Sequence, residues 1–236
     1  MKIKSFLFSI AFYAYFTQVA TGQQVKLKQA DSLFSLQKYT EAYTTYRSVF
    51  DTGEVTPAML LKMAFIKDAS EDYVEALFLL DKYYQLSADR QAVGKIMEIA
   101  EEQGLSGYKY SDQQYFLALL TKYKTSIAFS LLSISALLIS YTYMKTRKSE
   151  KSYVAGVLQA MVLVLLLGLV NVRDVSKGII TKDRTLLRTG PSSGSESIAT
   201  LSKGHKVIVL EETEVWTKIR WEGEDFFINK ERILII

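Results

Sequence analysis

Ser126 to Met144, SIAFSLLSISALLISYTYM, and Tyr153 to Val172, YVAGVLQAMVLVLLLGLVNV, are two apolar runs without a charged side chain. At about 1.5 Å of rise per residue, helices of these lengths cover the roughly 30 Å hydrocarbon core of a bilayer. A buried helical hairpin of a soluble protein is ordinarily shorter and carries a polar stripe. Both runs therefore read as membrane-spanning helices.

The segment between them, residues 145–152, carries Lys145, Arg147, Lys148 and Lys151 against the single acid Glu150. Short loops rich in Lys and Arg stay in the cytoplasm. Tyr141, Tyr143 and Tyr153 stand at the same edge, where an aromatic belt belongs. The loop is expected inside, and both flanking regions on the outer, periplasmic face of a bacterial inner membrane.

The start of the chain agrees with that topology. Lys2 and Lys4 precede an apolar run from Phe6 to Phe16, and Ala20, Thr21 and Gly22 supply small residues before Gln23. This is the three-part pattern of a secretory signal over residues 1–22. Cleavage after Gly22 and retention as an anchor both export the region from Gln23 onward.

Charge has to be read by region. The whole chain has a formal charge of +4, but residues 23–124 hold 12 basic and 14 acidic side chains, and residues 173–236 hold 11 and 10. The surplus sits in the leader and the loop, so it reports topology and not a nucleic-acid partner. There is no cysteine, which excludes disulfides, thiol nucleophiles and thiolate metal sites.

Between the leader and the first apolar run lies an internal repeat. Tyr39, Thr40, Glu41 and Ala42 recur as Tyr73, Val74, Glu75 and Ala76, a shift of 34 residues. Helices are expected over residues 25–36 and 40–50, then over 57–67 and 72–86. Ala30 and Ala64 are the small residues of the first helices, Ala42 and Ala76 those of the second. Tyr46 and Leu80 fill the large apolar position four residues on. The layout resembles the tetratricopeptide repeat, although Glu54 and Ala88 replace its helix-ending proline and its tryptophan is missing. A degenerate third unit is expected over 88–103, with Ser111 and Asp112 capping a helix over 113–124. No glycine or proline separates Lys124 from Ser126, so that helix runs on into the first span.

Ten of the 15 tyrosines lie between Tyr39 and Tyr123. Tyr39, Tyr46 and Tyr73 hold motif positions and are expected to pack. Tyr83, Tyr84, Tyr108 and Tyr110 are less constrained and are candidates for partner contact.

After a polar link over residues 171–180 the pattern changes to short runs rich in branched and aromatic residues. They cover 185–188, 197–201, 206–210, 216–221, 225–228 and 232–235, with turns at Gly190 to Gly194, Lys203 to Gly204 and Glu222 to Gly223. Six short strands predict a small barrel over 179–236. Leu187, Arg188, Thr189, Gly190, Pro191 and Ser192, then Leu201 to Gly204, then Trp216 to Ile219 resemble the bacterial SH3-like (SH3b) domain. The usual Gly-Trp-Val element is replaced around Phe226 and Phe227. Some members of that family bind cell-wall peptides. The resemblance makes Trp216, Trp221 and Phe227 either core and rim residues or ligand contacts. It leaves Arg188 either to meet a carboxylate or to fix the loop at Pro191.

Catalytic chemistry is not evident. The one histidine, His205, sits in a turn and is expected to be exposed. No phosphate-binding loop is present, because the GPSSG stretch lacks the lysine. Carboxylate pairs such as Glu101 and Glu102 read as solvated faces. The expectation is a non-enzyme without metal or cofactor.

The fold class expected is thus a multidomain membrane protein: α-solenoid, two-helix hairpin, small all-β barrel. That order resembles the BatE-type proteins of the Bacteroides aerotolerance (Bat) systems. The resemblance implies an inner-membrane assembly with von Willebrand factor A domain proteins and a MoxR-type AAA ATPase. The competing expectation is a peptidoglycan-binding anchor.

Overall fold

A computed structural model of the chain describes residues 24–147, 153–172 and 175–236. The expected leader, with Lys148 and Lys151 of the basic loop, lies outside the described residues.

Five helices form the first unit: α1 (residues 24–35), α2 (Tyr39–Phe50), α3 (Pro57–Ala69), α4 (Tyr73–Ser87) and α5 (Arg90–Glu102). Their starts arise from local chemistry. Thr56 accepts from the Met59 N–H with Pro57 at the first helical position, and Asp72 and Asp89 accept from Glu75 and Gln91. Each satisfies a donor that the first helical turn leaves unpaired. Ala88 was expected to open the next helix. It instead ends α4 in the left-handed region at φ 52°.

α2 packs on α3, α3 on α4, and α4 on α5. Ala30, Ala42, Ala64 and Ala76 are all buried, as are Tyr46, Leu60, Met63 and Leu77 between them. Small side chains there let the helix backbones approach closely. Asp31 at the edge of this core accepts from Tyr46 and Lys62, at 2.5 and 2.6 Å.

α6 (Asp112–Arg147) is one uninterrupted helix of 36 residues. At about 1.5 Å per residue it is roughly 54 Å long, so its first turns belong to the helical unit and the rest to the apolar hairpin. α7 (Tyr153–Asn171) returns against it. Ala155, Val162 and Leu169, seven residues apart, are buried on α6. Gln159 donates from Nε2 to Ser135 Oγ at 2.7 Å across the pair. Both helices are long and apolar enough to cross a membrane.

The C-terminal region is an antiparallel sheet of β1 (Lys177–Ile180), β2 (Thr185–Arg188), β3 (Ser197–Leu201), β4 (Lys206–Glu212), β5 (Trp216–Trp221), β6 (Glu224–Asn229) and β7 (Ile233–Ile235). Neighbours run β3-β2-β6-β5-β4-β1-β7. Glu222 and Gly223, at φ 51° and 91°, make the two-residue turn from β5 to β6, whose left-handed pair matches the twist of the strands. Ile180, Leu187, Val207, Ile219 and Ile228 fill the core between the inward faces.

Seven strands stand where six were expected. β1 was read as part of a polar link because Lys177 and Gly178 precede only two apolar residues. Register explains it: Lys177 to Ile179 pair with Ile208 to Lys206, and Gly178 to Ile180 with Ile235 to Ile233. Four residues in a central strand need no alternation of their own when both neighbours supply the ladder.

Candidate functional site

Strand alternation turns Ile180, Val207, Ile219 and Ile228 into the core and leaves Ile179, Lys206, Trp216, Lys218 and Phe227 on the outside of the sheet. On that outside, β1, β4 and β7 supply the residues that meet the helices.

On the docked side, Ile179 is fully buried and joins the helical core, with Leu234 and Ile236 packed beside it. The Gly204 to Lys206 turn then meets the segment that links α5 to α6. The Lys206 N–H donates to Ser106 O at 3.0 Å, and the Ser106 N–H donates to His205 Nδ1 at 3.1 Å. The Tyr108 hydroxyl donates to Gly204 O at 2.6 Å.

At the centre of this joint Lys206 forms an ion pair with Asp81 of α4, and the two side chains are 4% and 3% exposed. The Tyr110 hydroxyl donates to Asp81 Oδ1 at 3.1 Å. Oδ2 faces the ammonium and has no hydrogen-bond donor besides it. The Lys206 ammonium lies 4.8 Å from the Tyr110 ring centre and 5.5 Å from that of Tyr108, within cation–π range. Burial and the nearby Asp81 carboxylate push both tyrosine hydroxyls well above their ordinary pKa.

Backbone closeness makes two glycines necessary. Gly107 has φ 97°, and a Cβ there would lie 2.0 Å from Lys206 O. Gly204 has φ 91°, and its Cβ would meet Leu105 and Tyr73 at 2.9 Å. Neither site tolerates an ordinary side chain without movement of the joint.

Farther around the same outer face, Arg188, Trp216, Lys218 and Phe227 of β2, β5 and β6 point outward, with Arg188 paired to Phe227 and Lys218 to Phe227 across strands. The Arg188 guanidinium donates to Ser193 O at 2.9 Å and Ser195 O at 2.7 Å, and lies 6.0 Å from the Trp216 ring centre. Arg188 thus holds the loop that carries Pro191. Ser195 Oγ, bonded to Gly190 O and Ser192 O, closes the same loop around Pro191. The result is an ordered loop beside two aromatic rings.

Residues 184–231 match the bacterial SH3 domain family. The match covers β2 to β6 of the SH3 domain and leaves out β1 and β7, the strands that carry Ile179, Leu234 and Ile236 onto the helices. No curated protein matches the chain.

The residues singled out in the sequence divide between two regions of the domain. Gly190, Arg188, Pro191, Trp216 and Phe227 stay in the outward region or its loop. Gly204 belongs to the docked turn, and Trp221, partly packed on the SH3 core, meets His205 of that turn edge-on at 5.3 Å. His205, expected to be exposed, is half-buried and accepts a hydrogen bond. Burial pulls its pKa below the ordinary value, against an opposing effect of Glu222.

Three of the four tyrosines proposed for partner contact serve the joint or its surroundings. Tyr84 and Tyr108 are buried, and Tyr110 bonds Asp81 while meeting Tyr84 edge to face at 5.3 Å. Tyr83 donates to Asp89 Oδ2 at 2.9 Å at the α4–α5 corner. Tyr73 has the Lys203 ammonium 5.3 Å from its ring centre. Tyr39 forms a cluster with Phe34 and Phe65 at the other end of the unit. Lys145 and Arg147 close the end of α6 beside Tyr141 and Tyr143.

Asp81 and Lys206 were not anticipated. The signal was present for Asp81: Val74, Leu77, Phe78, Asp81 and Tyr84 share the inward face of α4, and an acid at an inward position needs a cation. Nothing local to β4 identifies that cation. Among the described residues no group of three or more His, Asp or Glu side chains is gathered as for a metal ion.

Proposed function

We propose that the chain is a non-catalytic adaptor of the bacterial inner membrane, built to hold two interaction modules in one fixed relation on the periplasmic side. The observation that carries this is the Asp81–Lys206 pair buried between the helices and the SH3 domain. A buried ion pair adds little net stability over apolar packing but penalises every arrangement that separates its members. A tether that only captures wall fragments has no use for such a constraint, whereas a platform presenting two surfaces at once does.

In this reading the helices are tetratricopeptide-like repeats that dock one envelope protein, and the outward face of the SH3 domain meets another. α6 and α7 cross the membrane, with Lys145, Arg147, Lys148 and Lys151 on the cytoplasmic side. The resemblance to BatE-type proteins suggests von Willebrand A domain membrane proteins and a MoxR-type ATPase as the assembly. Purification of the full chain from native membranes in mild detergent, followed by mass spectrometry, tests it. Recovery of such proteins is expected, and recovery of the chain alone refutes the adaptor. A reporter enzyme fused after Lys148 should be active only in the cytoplasm.

A second reading rests on the outward face. Trp216 and Phe227 beside an ordered loop suit a wall peptide, as in other bacterial SH3 domains. The full chain in detergent would then sediment with purified sacculi, and Trp216→Ala would release it. Failure of the unaltered chain to sediment rejects this reading.

A further inference from the structure

The geometry points to a phospholipid headgroup site in the cavity between the SH3 domain and the start of α6, selective for a zwitterionic headgroup bearing a primary ammonium. The cavity measures about 970 Å³, at the upper end of the roughly 300–1,000 Å³ typical of small-molecule sites. Its size suits an amphiphile.

Its place in the fold selects the bilayer as the source. One wall is α6 up to Leu117, nine residues before Ser126, a rise of about 13 Å. Another is Val175, four residues past the end of α7. The cavity therefore opens where both apolar helices leave the hydrocarbon. The inference rests on α6 and α7 spanning the bilayer.

Its lining selects the headgroup. Met97 and Val175 are 52% and 55% exposed and line the cavity, and with Leu117 they offer an apolar surface to a glycerol backbone and the first acyl carbons. Lys206 and Arg220 also line the cavity, but Asp81 and Asp225 neutralise them. Four charged side chains remain: Lys109 and Lys177, Glu101 and Glu222. None of these four makes an ion pair among the described residues. Two cations match a phosphate, and two carboxylates accept hydrogen bonds from an ammonium. A phosphoethanolamine headgroup carries both, a phosphocholine has no N–H to donate, and a phosphoglycerol offers the carboxylates hydroxyl donors but no positive charge to balance theirs.

The test is native mass spectrometry of the full chain in mild detergent, offered equal amounts of phosphatidylethanolamine, phosphatidylglycerol and phosphatidylcholine. Phosphatidylethanolamine should be retained several-fold over the other two. Lys109→Ala with Lys177→Ala, and separately Glu101→Gln with Glu222→Gln, should each abolish the preference, with protection of the Lys206 amide unchanged as the check on folding. Equal retention of the three lipids, a preference that survives both variants, or a co-purified peptide in place of lipid overturns the site. Alkaline extraction of membranes separates the two levels of the inference. Release of the chain removes the bilayer itself, while a retained chain without headgroup preference refutes only the site.

Discussion

Replacing Lys206 by Met keeps the length of the side chain and removes its charge. Asp81 is then left buried, with the Tyr110 hydroxyl donating to Oδ1 and no ammonium facing Oδ2. Removing one member of a buried ion pair costs about 3–5 kcal/mol, most of it the desolvation of the charge that remains. The loss falls on docking, because Asp81 and Lys206 lie in different domains. At about 1.4 kcal/mol per tenfold change, opening of the joint becomes roughly a hundred to several thousand times more frequent.

Amide hydrogen exchange of the full chain in detergent reads this directly. The Lys206 N–H bonds to Ser106 O and the Ser106 N–H bonds to His205, so both amides lose their partners when the joint opens. Each should exchange faster by that factor in Lys206→Met, while the Ile219 amide in the centre of the SH3 domain should not. The double variant Asp81→Leu with Lys206→Met removes both charges, and apolar replacement of a whole pair is commonly neutral or stabilising. Protection should return to within about tenfold of the unaltered chain. Acceleration below tenfold in the single variant, or a double variant as open as the single, would refute the assignment of Asp81–Lys206 as the pair that fixes the joint.

Other perturbations separate the contributions around it. Gly107→Ala places a Cβ against Lys206 O at a left-handed residue, which should cost at least the roughly 1–3 kcal/mol of backbone strain alone and accelerate the same amides. Gly94→Ala in α5, where nothing lies within 4 Å of the new Cβ, should stabilise by about 0.8–1.0 kcal/mol and serve as the control. For His205 the sign is set by its lowered pKa. The undocked residue takes up a proton near pH 6.5 and the docked one only at lower pH, so docking is complete above that value and weakens as pH falls below it. Lys206 amide protection should decline in that window, and His205→Gln should abolish the decline. Arg188→Ala removes two charge-assisted bonds to Ser193 O and Ser195 O, so limited proteolysis should cut within residues 190–195 while Lys206 stays protected.

Local pattern carried much of this fold. Six strands were legible because branched and aromatic residues cluster between turn signals, and the α6 continuation was legible because no breaker stands between Lys124 and Ser126. β1 was not, since its stability comes from two neighbours and not from its own four residues. The joint was less legible still. Asp81 could be noticed as an acid on an apolar helix face, but Lys206 lies 125 residues away and looks like any lysine at the start of a strand. Tyr108 and Tyr110 illustrate the same limit. Apart from their tertiary contacts, tyrosines outside a repeat pattern read as surface available to a partner, and the partner here is the chain's own SH3 domain.

The continuity of α6 gives the joint its consequence. In the proposed adaptor the apolar run from Ser126 crosses the hydrocarbon, and Asp112 to Thr125 before it supply about 21 Å of the same rigid rod to pack against α4. α4 in turn holds Asp81, and Asp81 holds the SH3 domain. In the proposed adaptor the orientation of Trp216 and Phe227 is therefore set from the membrane outward through one helix, one helix contact and one ion pair. The domain is held by its docking onto α4 and the segment before α6. A ligand of the outward face meets a surface whose height and direction are already determined, and this favours assembly with other membrane-held proteins over capture of a distant one.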